Sequence, residues 1–244
     1  KAPGCSTVRA SGMVRSSSSQ KFMIPQTPRA GPEKPGPLCY AEGMNFLAHL
    51  YLAGDDEALR LGALLGDFVR GRVALEIYPE PVREGIRMHR HIDAFIDTLP
   101  DFVRLRASLE PPYRRYAGII IDLGLDHELA RRWEDYSDQP LAAFDSGVRG
   151  MLARNADLVP DGLARFMRYA DRHGLFATYA VPDQVMHSLH GIGRRLSRPN
   201  PLARVAEIWP EIQPRMATAF DPLLGAVQRE LDEWSKSRST MTGS

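Results

Sequence analysis

Acidic and imidazole side chains recur together in three regions of this 244-residue chain. Large apolar residues surround them, which predicts that these polar side chains are at least partly buried. A buried carboxylate or imidazole needs a hydrogen bond or a cation, because its desolvation alone costs several kcal/mol. The simplest common solution is a hydrated divalent metal that performs hydrolysis. The candidates are His49 and Asp67, then His89 and Asp93, and finally Asp122, Asp126 and His127.

The third region has the densest spacing. Asp122 and Asp126 are four residues apart, so on a helix they share one face, and His127 lies about 100° further round. A cation between the two carboxylates would remove their mutual repulsion. The alternative is a solvated Asp122 and an Asp126 that pairs with Arg115 or Arg131. The surrounding isoleucines and leucines favour the metal, because such a helix has little solvated surface.

The second region repeats the four-residue spacing with His89 and Asp93. The aspartate can either orient the imidazole or bind the same ion. The alternative for His89 is a core or capping histidine. His91 points about 200° away from His89 on the same helix, so we expect it at the surface.

The first region is the least regular. Asp67 ends the apolar run 61–66, where a lone carboxylate is unusual without a role, although Arg70 or Arg72 is an alternative partner. His49 lies among large apolar residues on an amphipathic helix. Taken alone, it is typical of a hydrogen-bonded core histidine.

A basic cluster lies further along the chain. Arg194, Arg195 and Arg198 can hold a phosphate through paired guanidinium hydrogen bonds, or they are simply solvated. The nearby His187 and His190 lack a carboxylate that would complete a metal site, which favours a structural or substrate-side role. The sequence contains no Gly-rich phosphate loop, nucleophile elbow or zinc-protease helix.

The elements that must position these residues are helices. Apolar residues recur at helical spacing, prolines mark the turns between them, and no convincing strand alternation occurs. We therefore predict an all-α, single-domain helical bundle. The predicted helices cover about 55–68, 80–97, 100–109, 112–136, 140–152, 160–173 and 182–196, with two more after Pro201 and Pro210.

Composition divides the chain into three parts. Residues 1–43 are rich in Ser, Pro and Gly and lack a hydrophobic period, which is typical of a disordered leader or one added in cloning. Residues 44–234 form the predicted catalytic domain, and Met44 is its expected start. Residues 235–244 are polar and are expected to form a flexible tail.

The net charge of +1 is unevenly distributed. Residues 1–43 hold six of the 31 cations and two of the 30 anions, so the rest of the chain has a balance of −3. This balance gives no general argument for nucleic-acid binding. Cys5 and Cys39 both lie in the leader, so the domain has no cysteine nucleophile and a reducing cytoplasm is expected. No apolar run approaches the ~18 residues of a membrane span.

Four short motifs follow one another along the domain. They are Met-Asn-Phe-Leu-Ala-His at 44–49, Gly-Asp-Phe-Val-Arg-Gly at 66–71, Met-His-Arg-His-Ile-Asp at 88–93 and Asp-x-x-x-Asp-His at 122–127. Together they resemble bacterial acyl carrier protein phosphodiesterases, from Met44 to about Trp234. The resemblance implies an all-helical enzyme, distantly similar to HD-type metal phosphohydrolases. The last motif reads Asp-His, the reverse of the His-Asp dipeptide of that wider group, so ligand roles do not transfer from it.

The implied reaction removes 4′-phosphopantetheine from the serine of holo-acyl carrier protein by phosphodiester hydrolysis. Mixed Asp and His ligands favour Mn²⁺, with Mg²⁺ or another divalent cation as the alternative. The expected metal ligands are Asp67, His89, Asp126 and His127. The expected catalytic residues are Asp67, Asp122, His49 and Asp93, and the expected substrate-binding residues are Arg90, Arg194 and Arg195. The acidic protein substrate requires a cationic patch, for which Arg104, Arg106, Arg114, Arg115, Arg131, Arg132, Arg194 and Arg195 are available.

Two other functions fit the same residues. An HD-type hydrolase of a small nucleotide, such as a guanosine polyphosphate, would use the same metal with a narrower pocket. A non-catalytic helical module that binds an acidic protein would need no metal and would tolerate Ala at Asp67 or Asp126. A nucleic-acid binder is disfavoured by charge. The oligomeric state and the number of metals are not predicted.

Overall fold

The computed structural model describes residues 46–173 and 176–242. The predicted leader, residues 1–43, lies outside this part. The α-helices are α1 (Phe46–Leu52), α2 (Glu57–Leu65), α3 (Glu80–Ile96), α4 (Pro100–Ser108), α5 (Ala117–Arg131), α6 (Leu141–Arg154), α7 (Asp161–His173), α8 (Pro182–Gly193) and α9 (Trp209–Thr242). Short 3₁₀ helices cover Val73–Leu75, Tyr113–Tyr116, Trp133–Asp135, Ala156–Leu158, Phe176–Ala180 and Leu202–Glu207. No strand occurs in this part of the chain, which confirms the all-α prediction.

Local sequence signals explain where several helices begin. Proline occupies the first or second position of α3, α4 and α8, where its missing N–H costs no helical hydrogen bond. Asp56 caps α2, and its carboxylate accepts hydrogen bonds from the backbone N–H groups of Ala58 and Leu59 at 2.9 Å. These signals place the starts of α2 and α3 close to the predicted positions.

The structure differs from the predicted elements in two places. The segment predicted as one helix over 112–136 is a 3₁₀ turn, then α5, then a second 3₁₀ turn. The segment after Pro201 is also 3₁₀ rather than α-helical. The hydrophobic period is nearly the same in α and 3₁₀ turns of this length, so the pattern did not separate them.

Residues 235–242 of the expected flexible tail are helical. Helix α9 continues past Trp234 to Thr242. Arg238 lies over the Trp234 ring at 5.1 Å and donates a hydrogen bond to Glu84 of α3 at 2.6 Å. These contacts join this largely polar part of α9 to a neighbouring helix.

Helices α2 and α3 cross in backbone contact. A Cβ atom at Gly62 would lie 2.3 Å from the Val82 carbonyl oxygen, and one at Gly85 would lie 2.4 Å from the Leu59 carbonyl oxygen. Glycine at both positions therefore permits the close crossing. One turn further along each helix, Gly66 faces the ring of His89.

Helix α5 lies at the centre of the described fold and packs against α1, α4, α8 and α9. Nearly all its side chains are buried, including those of Asp122, Asp126, His127 and Glu128. A Cβ atom at Gly124 would lie 2.2 Å from Met216 Sδ of α9, so glycine at this position allows α5 and α9 to pack closely. None of the described helices combines the length and hydropathy needed to cross a bilayer.

Candidate metal centre

Two buried histidines and one aspartate converge where α1 meets α3. His49 of α1 and His89 of α3 are each 1% exposed, and their rings stack with centroids 4.0 Å apart. Asp93, one turn after His89, lies between them: Oδ1 is 3.0 Å from His49 Nε2 and Oδ2 is 3.1 Å from His89 Nε2. Each residue offers a ligand atom within 4.8 Å of the others. This group has the composition and spacing of a divalent metal site.

Asp67 adds a second carboxylate to the group. It follows the end of α2, and its Oδ1 atom lies 3.5 Å from His89 Nε2. The preceding residue, Gly66, allows this approach, because a Cβ atom there would lie 2.2 Å from the His89 ring. Arg90 donates a hydrogen bond to the Val69 carbonyl oxygen at 2.5 Å, which ties the segment after Asp67 to α3.

The electrostatics of the group reflect burial and mutual contact. Burial and the neighbouring His89 lower the pKa of His49 to about 4, against the opposing effect of Asp93. Burial would also lower the pKa of His89, but its contacts with Asp67 and Asp93 raise it well above the usual range. The two imidazoles hold the pKa of Asp93 far below its usual value, despite burial. Burial raises the pKa of Asp67 to about 6.

Three polar atoms of the group are buried and have no hydrogen-bond partner. They are His49 Nδ1, His89 Nδ1 and Asp67 Oδ2. A buried carboxylate oxygen without a partner is costly, and a bound cation would remove that cost. The Asp93 side chain is 39% exposed, whereas that of Asp67 is 13% exposed, so the group is open to solvent on the Asp93 side. The donor set and the unpartnered oxygen therefore fit a divalent cation.

Asp126 is not a member of this group but contacts the helix that carries His49. Its carboxylate accepts hydrogen bonds from the backbone N–H groups of Leu47 at 3.0 Å and Ala48 at 2.9 Å. These donors belong to the first turn of α1 and have no partner inside that helix. Asp126 therefore fixes the start of α1, two residues before His49. Burial raises its pKa to about 8, while the two backbone hydrogen bonds favour the ionised form.

The other residues predicted on α5 lie outside the group. His127 Nδ1 is 2.7 Å from the Tyr179 carbonyl oxygen, and its ring meets the edge of Trp209. Asp122 lies one turn before Asp126 and is 9% exposed. Within the described residues, the cluster of possible ligands contains neither Asp126 nor His127.

The predicted substrate-binding arginines fall in two separate places. Arg90 lies on α3 beside His89 and holds the segment after Asp67. Arg194 and Arg195 are exposed just after α8, and Arg195 Nε donates a hydrogen bond to the Gly191 carbonyl oxygen. The two places are not joined by any described contact.

His49, named among the expected catalytic residues although its apolar surroundings alone are typical of a core histidine, is a member of the group. No role was predicted for Glu128. Glu128 is fully buried and hydrogen-bonds Arg131 and Gln213, which gives Arg131 a partner other than Asp126. The four-residue spacing of Gly62 and Gly66 was a usable signal for close helix packing. His91, expected at the surface, is partly exposed and contacts Glu230 at 2.8 Å.

Comparison with known proteins gives a consistent result. A family model described as acyl carrier protein phosphodiesterase matches residues 44–227. Proteins named acyl carrier protein phosphodiesterase from Salmonella agona, Salmonella newport and Salmonella heidelberg are each 40% identical over 159 residues, which is 64% of this chain and 80% of the relative. No solved structure matches the chain, so the expected similarity to HD-type phosphohydrolases stays a prediction.

Proposed function

This chain belongs to the acyl carrier protein phosphodiesterase family, and on that premise we propose that it hydrolyses holo-acyl carrier protein. The bond cleaved is the phosphodiester between 4′-phosphopantetheine and the oxygen of a serine side chain, and the products are apo-acyl carrier protein and 4′-phosphopantetheine. The observation that carries the proposal is the family match over residues 44–227 together with the His and Asp group at α1 and α3.

The residues of that group fit a divalent metal, and Mn²⁺ is the ion we propose. His49, His89, Asp93 and Asp67 would hold it. Two imidazoles and two carboxylates suit Mn²⁺ better than Mg²⁺, which prefers oxygen ligands. When bound, such an ion supplies Lewis acidity toward the phosphate oxygens and a hydroxide nucleophile at neutral pH.

The protein side chains contribute orientation. Asp93 contacts both imidazoles and so fixes the facing nitrogen of each ring. Asp67 directs one oxygen to His89, and its second oxygen, which has no partner, is the atom that would bind the ion.

We assign positioning roles to Asp126 and Arg90. Asp126 holds the first turn of α1 and thereby His49, and Arg90 holds the segment that carries Asp67. A ligand role for Asp126 or His127, expected from the sequence, is not part of the proposal, because neither residue belongs to the group of possible ligands among the described residues. A catalytic role for Asp122 and a substrate role for Arg194 and Arg195 stay predictions.

The test is direct. The protein is incubated with holo-acyl carrier protein and Mn²⁺, with and without a chelator, and the carrier protein is weighed by mass spectrometry. We expect the loss of one phosphopantetheine, and we expect the chelator to prevent it. A parallel incubation with guanosine polyphosphate covers the alternative. Hydrolysis of the nucleotide with no change in the carrier protein would overturn the proposal.

A further inference from the structure

The proposed reaction restricts where the protein substrate can dock. The bond that is cleaved joins the prosthetic group directly to a serine side chain, so the surface around that serine must come within a few ångströms of the catalytic group. The docking surface therefore lies close to the group. The inference that follows rests on the proposed function.

A surface segment beside the group has unusual exposed side chains. We call it the 70–77 patch and define it by Arg70, Arg72, Val73 and Ile77, which lie between α2 and α3. Val73 is 81% exposed and Ile77 is 67% exposed, the two highest values among the large hydrophobic residues of the described chain. Large apolar side chains that are exposed and flanked by charged residues are typical of a protein-binding surface.

The patch follows Asp67 closely along the chain and is anchored to the core. Arg72 is five residues after Asp67, so their Cα atoms are at most about 18 Å apart. The inner side chains of the same segment, Ala74 and Leu75, pack on the hydrophobic core, and Tyr78 is buried. The hydrogen bond from Arg90 to Val69 fastens its beginning. The outward side chains are therefore presented on an anchored turn.

Arg72 of this patch differs in its ion pairing from most of the arginines that were expected to form the cationic patch. Arg72 is exposed and has no ion pair among the described residues, and Arg70 lowers the pKa of nearby Asp67 through its charge. Most arginines expected to form the cationic patch instead pair with carboxylates of this chain, which neutralises them locally. These pairs are Arg104–Asp101, Arg106–Asp97, Arg114–Glu110, Arg131–Glu128 and Arg132–Asp221. Glu76 is the one anion within 70–77.

From these observations we infer that the 70–77 patch docks the substrate protein. The occupant is the face of the carrier protein that bears the modified serine, and it presents acidic side chains to Arg70 and Arg72 and apolar side chains to Val73 and Ile77. The patch sets affinity for the protein substrate, while the His and Asp group performs the chemistry.

The test uses the full chain with Mn²⁺ and compares three variants with two controls. The variants are Arg72→Glu, the double variant Val73→Ser/Ile77→Ser, and Arg194→Glu/Arg195→Glu. The controls, Arg229→Glu and Val181→Ser, change an exposed arginine and an exposed valine elsewhere. Steady-state kinetics on holo-acyl carrier protein give kcat and KM, and fluorescence anisotropy gives Kd for apo-acyl carrier protein.

We expect Arg72→Glu and the double apolar variant each to raise KM and the apo-protein Kd by roughly tenfold, with kcat changed less than about twofold. The effect of Arg72→Glu should shrink at high salt, because surface charge is screened. Mn²⁺ binding by calorimetry should equal that of the unmodified chain. The controls should leave all these values unchanged.

Two results separate the inference from the proposed function. If the unmodified chain does not cleave holo-acyl carrier protein, the proposed function is wrong and the inference falls with it. If it does, but the patch variants keep KM and Kd while Arg194→Glu/Arg195→Glu raises them, docking occurs at α8 and the inference alone is wrong. Unchanged KM and Kd in every variant also overturn it.

Discussion

At the scale of single residues, Asp93 joins the two halves of the candidate metal centre. One oxygen faces His49 of α1 and the other faces His89 of α3. Asp93 is also the most exposed member of the group, so it lies on the side of the group that is open to solvent. Loss of its charge would leave two stacked imidazoles without a shared acceptor.

Asp93→Asn is therefore expected to weaken Mn²⁺ binding by at least about 100-fold and to abolish hydrolysis of holo-acyl carrier protein. The matched control is Asp97→Asn, one turn further along, where the carboxylate is exposed and pairs with Arg106. Calorimetric titration with Mn²⁺ measures both variants. Equal affinities in the two would contradict the assigned role of Asp93.

Asp126 is expected to act through stability and position. Asparagine keeps one oxygen, so Asp126→Asn loses one of the two backbone hydrogen bonds at the start of α1. We expect a loss of about 1–2 kcal/mol in the free energy of unfolding, measured in urea, and a weaker Mn²⁺ affinity. The exposed Asp135→Asn is the control. An unchanged stability together with complete loss of Mn²⁺ binding would instead show that Asp126 is itself a ligand.

The residues of the centre were partly visible in the sequence. The four-residue spacing of His89 and Asp93 and the isolated Asp67 indicated chemistry, because buried charges need partners. His49 was expected at the site only through the family resemblance, since its neighbours are those of any core helix and its partner comes from another helix. The local sequence around Asp126 indicated a metal ligand as strongly as that around His89. In the structure, however, the Asp126 carboxylate accepts hydrogen bonds from backbone N–H groups.

At the scale of elements, the crossing of α2 and α3 sets the geometry of the centre. Gly85, His89 and Asp93 repeat every four residues on one face of α3, and Gly62 and Gly66 do so on α2. Gly62 and Gly85 allow the two backbones to come together. One turn further along, His89 lies against Gly66. The position of the ligands thus depends on residues that carry no chemistry.

Gly85→Ala is expected to destabilise the fold by about 2–3 kcal/mol, because the added Cβ meets a backbone carbonyl that cannot move aside. Mn²⁺ affinity should fall as well, since α3 shifts away from α2. Gly147→Ala, in a helix where no atom lies within 4 Å of the added Cβ, is the control. That change should stabilise by about 0.5–1 kcal/mol. Urea denaturation of both variants tests the contrast.

The sequence predicted most helices because prolines and caps act locally. It did not distinguish 3₁₀ turns from α-helix around Tyr113 and Leu202, and it did not anticipate that α9 extends beyond Trp234. Those features depend on neighbours that are distant in sequence, such as Glu84 for Arg238. Local propensity contains no information about them.

At the scale of the whole molecule, metal binding should stabilise the fold, because the ligands come from α1, α3 and the end of α2. At 100 times the Kd, Mn²⁺ adds about 2.7 kcal/mol, which corresponds to a rise in Tm of roughly 5–10 °C for a domain of this size. Thermal unfolding with Mn²⁺, and again after a chelator, measures the rise and its reversal. Asp93→Asn should show almost no rise, and a rise equal to that of the unmodified chain would place the ion elsewhere.

The attachment of Asp126 to the first turn of α1 spans 79 residues of sequence. A ribosome that has released only α1, α2 and α3 has already made His49, Asp67, His89 and Asp93, but not the carboxylate that anchors the helix bearing His49. Contacts between residues this far apart in sequence form slowly and late in folding. The nascent protein would therefore become able to hydrolyse its substrate only after α5 emerges. A partly synthesised chain would then not remove phosphopantetheine from the carrier proteins of the same cell.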